Sequence, residues 1–347
     1  MSETIVDAVR IDGVKALSRK RLWDYARGIG ILLVVFGHVL RGLNTAHVVS
    51  DSHWLMILDY AIYTFHMPLF FLLAGMNVSK GFAKDNFLRN KCSSIVYPYF
   101  LWSLIQGGIQ IFMSSEVNRA VNWRDLLEIM WKPIGQFWFL HALFLCHVMI
   151  AIITTNRRVV LLASIVCYVW GIYFSLGVIS NAFSFFLFYA AGLLSAPYLE
   201  KWVTDFSNFE GITFISVGFL FSLHVAFSFG SFHSPMALPA AFLGMFLVLQ
   251  MSFVIIKFQK LKVIELMGLA SMPIYLMHII FGSGARVFIL KIGVTSIGLN
   301  LVFGCLAAIV VPLIIYYFTY YYKVERIFGF NDASIIFKKS CPTLVRK

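Results

Sequence analysis

Apolar runs of 17 or more residues recur from residue 28 to residue 322, and runs of that length leave the chain few ways to fold. Inside lipid, backbone N–H and C=O groups find no water, so each run must pair them internally, as a helix does. A transmembrane barrel would need short alternating strands, and no such alternation is present. The runs predict about ten transmembrane helices, at 24–43, 54–76, 94–113, 136–154, 159–175, 180–196, 212–230, 236–256, 269–290 and 297–321. The fold class expected is an all-α integral membrane bundle with both termini cytoplasmic.

Charge agrees with this reading. Only 13% of residues are charged, against about 25% in a soluble domain. The net charge of +12 points to membrane lipids and not to nucleic acid, because the bases cluster in connections between apolar runs. Arg10 to Arg21, Lys80 to Lys91, Arg157 with Arg158, Lys201, Lys257 to Lys262 and the C-terminal bases fall on one side of a ten-helix bundle. The other side has Arg41, Arg119, Arg124, Lys132 and Lys291. That asymmetry puts the richer side in the cytoplasm. Residues 1–22 are read as a cytoplasmic tail without a cleavable leader, 23–322 as the transmembrane domain and 323–347 as a cytoplasmic tail. The five cysteines lack metal spacing, so neither a disulfide nor a metal site is expected.

Ionisable groups at membrane depth are costly and single themselves out. Arg27 and His38 are eleven residues apart, which on a helix leaves them within about 20° of one face and about 16 Å apart along the axis. Asp24 is one turn before Arg27 and in reach to pair with it. Singly, Arg27 could snorkel to headgroups and His38 could bond a neighbouring helix; on one stripe they indicate a site. Gly28, Gly30 and Gly37 leave room for a close neighbour. His66, His278, Ser271, Tyr275, Gln136, Trp138 and His141 add polar groups on three further helices. Asp59 is read as solvated at the outer interface, and His147 and His224 as packed core histidines. The segment 114–135, with Trp123, Trp131 and mixed charges, reads as an interfacial helix with aromatic anchors or as a lid.

A histidine can take the proton of a hydroxyl as it attacks an acyl carbonyl, and cytoplasmic cations suit a phosphate-bearing donor such as a coenzyme A thioester. No P-loop, GxSxG elbow or zinc motif is present. WDYARGIGILLVVFGHVLRGL at 23–43 resembles the opening helix of the membrane-bound acyltransferase family 3, in which a basic residue, ten others and a histidine recur. FHMPLFFLLAGM at 65–76, GQFWFLHALF at 135–144 and SMPIYLMH at 271–278 resemble three later family segments, in the family's order.

The resemblance implies a bacterial inner-membrane O-acyltransferase. Its co-substrate would be acetyl-CoA, with no bound cofactor. Its acceptor would be a hydroxyl of a saccharide or lipid-linked oligosaccharide, as in O-antigen or exopolysaccharide. By the same resemblance, His38 is the catalytic base, with Arg27 its partner and Asp24 the residue that orients Arg27. Arg89 and Lys91 are assigned to the acyl donor. His66, Trp138, His141, Ser271, Tyr275 and His278 are assigned to the substrate cavity. Two departures stand out: Ala74-Gly75 replaces the usual Ser-Gly, and where bases usually precede Pro-Tyr, Arg89 and Lys91 precede Pro98-Tyr99 but residues 92–96 are Cys-Ser-Ser-Ile-Val. The alternatives are a transporter or flippase of a lipid-linked or acylated cargo, which commonly shows internal repeats not seen here, and a scaffold without chemistry.

Overall fold

The computed structural model describes residues 2–49, 53–78, 86–114, 120–153, 156–174, 176–258 and 261–330, with side chains from Arg21 onward except that of His53. Among these residues every regular element is a helix. In chain order they are α1 (Ser2–Thr45), α2 (His53–Met76), α3 (Phe87–Lys91), α4 (Tyr97–Phe112), α5 (Trp123–Leu127), α6 (Trp138–Ile152) and α7 (Arg157–Tyr173). There follow α8 (Val178–Ser195), α9 (Leu199–Asp205), α10 (Phe209–Phe229), α11 (Leu238–Lys257), α12 (Lys262–Leu269), α13 (Ser271–Lys291) and α14 (Ile297–Tyr321). Nine spans among the described residues are long and apolar enough to cross a membrane, and they coincide with nine of the ten expected. The tenth is α7, whose 17 residues reach about 26 Å at the helical rise; it packs along α8.

α1 is the central post. It contacts α2, α11, α12, α13 and α14, and its helix extends back to Ser2 through the segment expected as a tail. α1 and α2 run antiparallel, since Arg41 pairs with Asp59 while Arg27 shares a cavity with Asn77. Glycine sets the closest crossing. A Cβ on Gly28 would collide with the Ile264 carbonyl, and one on Gly268 with the Asp24 carbonyl. Two glycines thus bring α12 against the turn that carries Asp24 and Arg27. Gly75 does the same where α2 crosses α8 at the Tyr189 carbonyl, which accounts physically for the glycine retained in Ala74-Gly75.

One membrane span is not a plain α-helix. From Phe87 to Phe112 the chain runs without a break, but Cys92–Val96 is widened to π geometry, with the Tyr97 N–H bonded to the Cys92 carbonyl. Pro98 follows directly and has no N–H to offer the preceding turn, so the helix re-pairs by widening. Residues 324–330, expected as the start of a free tail, fold back beneath α4. Trp102 Nε1 donates to the Phe328 carbonyl at 2.9 Å, and Phe330 is stacked on Trp102 and fully buried. The rest of that expected tail, from 331, lies outside the described residues.

α10 is the least buried of the spans and packs mainly along α11. His224 on it is exposed, which corrects the expectation of a core histidine. His147 does sit in the core, its Nδ1–H donating to the Leu143 carbonyl at 2.7 Å.

Candidate active site

Two cavities flank the middle of α1. The larger, about 520 Å3, is lined by His38, Arg41, Tyr63, His66, Trp138 and Tyr275 among others. The smaller, about 160 Å3, is lined by Arg27, Asn77, Ser271 and apolar side chains of α2, α6 and α13. Val34, Met67 and Tyr275 line both, so the two cavities adjoin at these three residues. Arg27 thus belongs to one chamber and His38 to the other, as a three-turn separation on one helix face requires.

Arg27 Nη1 donates to Asp24 Oδ1 at 2.6 Å, and Asp24 is only 1% exposed. This is a short charge-assisted bond held by a carboxylate shut off from water. The expected pairing of Asp24 and Arg27 is therefore in place, and Gly268 of α12 closes over the Asp24 backbone.

Around His38 the backbone fixes the tautomers. His38 Nδ1–H donates to the Val34 carbonyl at 3.0 Å, His66 Nδ1–H to Ile62 at 2.7 Å and His278 Nδ1–H to Tyr275 at 2.7 Å. A carbonyl can only accept, so each Nδ1 carries the hydrogen and each Nε2 is left as the ring's acceptor. Nε2 of His66 and of His278 are buried without a partner. The His38 and His278 rings meet edge to face at 5.0 Å, and Tyr63 stands between His38 and His66, 4.5 Å from the latter ring. Its Oη is 3.4 Å from His38 Nδ1. An acceptor nitrogen in a polar chamber is what proton abstraction from a hydroxyl needs.

The far end of the large cavity is roofed by the segment after α4. Asp125, Lys132 and Ile134 line it, while Trp123 and Trp131 project outward. One segment therefore supplies both the aromatic anchors and the cavity wall. Hydrogen bonds to Glu128 and Asp125 push the Lys132 ammonium above its ordinary 10.5, so this cation at the rim is constant in charge near neutrality. Gln106 and Gln136 hold the roof to the bundle by reciprocal amide bonds of 3.1 and 2.7 Å, and the Tyr275 hydroxyl donates to the Gln136 carbonyl.

Ser271 lines the Arg27 cavity and not that of His38. His278 stands behind His38 at a void of about 20 Å3 shared with Arg286. His141 lines neither main cavity; its Nε2–H donates to the Met130 carbonyl at 2.9 Å, so it pins the roof segment. Arg89 is exposed and Lys91 half-buried over the Phe87 ring. Both sit at the Arg27 end without lining its cavity, because α3 packs on α6 and not on α1. Asp59, read as solvated, is instead bound to Arg41 by bonds of 2.9 and 2.8 Å. Arg41, Tyr63, Phe232 and His233 were not expected in the cavity. Arg41 follows His38 by three residues, a spacing that puts it on the same face; Phe232 and His233 come from a loop, where no periodicity exists to read.

Fold and cavities together define a polytopic helical membrane protein with a histidine-lined polar chamber in its core. A family model described as an acyltransferase domain matches residues 21–317, and the chain belongs to that family. It is similar to the nodulation protein NolL of Mesorhizobium japonicum, 30% identical over 145 residues, which cover 41% of this chain and 38% of that protein. It is also similar to the nodulation protein NolL of Sinorhizobium fredii, 32% identical over 133 residues, covering 37% of this chain and 34% of the relative. The matched stretches thus span little more than a third of either relative. No solved structure matches the chain. The chain is accordingly a multi-pass membrane protein of an acyltransferase family.

Proposed function

We propose that the protein transfers an acetyl group from cytoplasmic acetyl-CoA to a hydroxyl of a saccharide or lipid-linked oligosaccharide, from a place in the bacterial inner membrane. The observation that carries this reading is the pair of chambers on either side of Val34, Met67 and Tyr275, with Arg27 in one and His38 in the other. The Arg27 chamber is too small for a nucleotide and suits the thioester end of the donor. Arg89 and Lys91, at the same end of the bundle, are cations for the donor's phosphates. The acceptor hydroxyl lies in the His38 chamber.

The chemistry follows from the tautomer. His38 Nε2 takes the hydroxyl proton, the oxygen attacks the thioester carbonyl, the new C–O bond forms and the C–S bond breaks. The thiolate leaves and takes that proton from His38 Nε2, so ester and free thiol are the products and His38 is neutral again. Asp24 keeps Arg27 oriented, and His66, Trp138 and Tyr275 shape the acceptor's chamber. His278 buttresses the His38 ring from behind.

A transporter or flippase of the same cargo would draw on the same two chambers. Purified protein in detergent, given acetyl-CoA and de-O-acetylated surface glycan, is expected to release coenzyme A thiol. Cargo binding without thiol release would decide for transport.

A further inference from the structure

Beside the His38 chamber lies another cavity of about 470 Å3, bounded by the end of α1, the start of α2 and the end of α10. Arg41 and Phe232 line both. The two cavities therefore adjoin at Arg41 and the Phe232 ring. Arg41 is bidentate on Asp59, its guanidinium lies 3.1 Å from the Tyr63 ring centroid and 5.4 Å from that of Phe232. Tyr60 closes the outer side, with ring centroids 5.1 Å from Phe227 and 6.0 Å from Phe232.

We propose, resting on the acetyl-transfer reading above, that this second cavity binds the sugars of the acceptor next to the one being modified. The protein then works on an oligosaccharide and not on a free monosaccharide, and Arg41, Asp59 and Phe232 mark the junction between two sugar subsites. A pyranose is apolar on its C–H faces and polar at its rim. Three aromatic faces beside the polar groups of Asn44, Asp59 and Arg41 are complementary to that pattern. The charge balance argues against a phosphate in this cavity, because its one guanidinium is already neutralised by Asp59. Continuity with the His38 chamber at Arg41 and Phe232 supplies the direction: the reacting hydroxyl at His38, the rest of the chain outward. Each cavity falls within the range of about 300–1,000 Å3 typical of a ligand site.

The test uses surface polysaccharide of the expressing cells, stripped of O-acyl groups with mild base and cut into fractions of one to two and of four to six sugars. Coenzyme A thiol release from acetyl-CoA is followed on the full-length protein. Met56→Trp and Asn44→Trp fill the second cavity; both residues are exposed, and neither lines the His38 chamber. Leu220→Trp, on the outward face of α10 and in neither cavity, is the control. For wild type, kcat/KM on the long fraction is expected to exceed that on the short by about tenfold or more, and both cavity variants to bring that ratio close to one while the control retains it. A wild-type ratio near one, or a high ratio that survives both cavity variants, overturns the second subsite. Absence of thiol release from wild type with either fraction overturns the acetyl-transfer reading itself, a different result from a flat ratio.

Discussion

Gln106 and Gln136 offer the sharpest energetic test of how the cavity roof is held. Both amides are buried, at 2% and 5% exposure, and each bonds the other twice. Changing one to the near-isosteric methionine leaves the other with one donor and one acceptor unsatisfied. An orphaned buried group costs about 1–3 kcal/mol, and water in the adjoining cavity reduces the sum. Each single variant, Gln106→Met or Gln136→Met, is therefore expected to lose about 2–4 kcal/mol. The double variant removes both partners and nearly conserves volume, so its loss should be below about 1.5 kcal/mol. The coupling is then at least about 2 kcal/mol, with the double variant more stable than either single. SDS titration of the purified protein, followed by tryptophan fluorescence, gives the four free energies of the cycle. Additive losses would mean instead that the two amides are satisfied by something other than each other.

Two further outcomes follow from the packing. Gly268→Ala puts a methyl group into the Asp24 backbone; the expected loss is about 1–3 kcal/mol in the same titration, together with a raised KM for acetyl-CoA as Asp24 and Arg27 are displaced. Tyr275→Ala removes the ring that lines both chambers, so water should reach the thioester and acceptor-independent thiol release should rise several-fold over wild type, whereas Tyr275→Phe, which keeps the ring, should leave that rate low.

The spans were legible because hydropathy over 18 or more residues is a strong signal that tertiary context rarely reverses. α7, the tenth span expected, forms as a helix but at 17 residues falls short of that length and is not among the nine spans long and apolar enough to cross a membrane. The pairing of Asp24 with Arg27 followed from helical spacing alone. What spacing could not supply was contact between helices. Asp59 looked like a solvated carboxylate until the fold brought Arg41 against it, and His141 looked like a cavity residue until the roof segment offered it the Met130 carbonyl. Arg89 and Lys91 show the limit from the other side: cations at the Arg27 end of the bundle still miss the Arg27 cavity, because α3 turns toward α6. His224 was misread because nothing local tells an outward helix face from an inward one when both are apolar.

In the proposed reaction everything depends on His38 Nε2 as the base. The most direct measurement is NMR of acetyl groups on the surface glycan of deletion cells complemented with wild type or with His38→Ala, each checked for equal protein in the membrane. Acetyl resonances restored by wild type and absent with His38→Ala are the predicted result; equal acetylation by the two proteins would contradict the assignment.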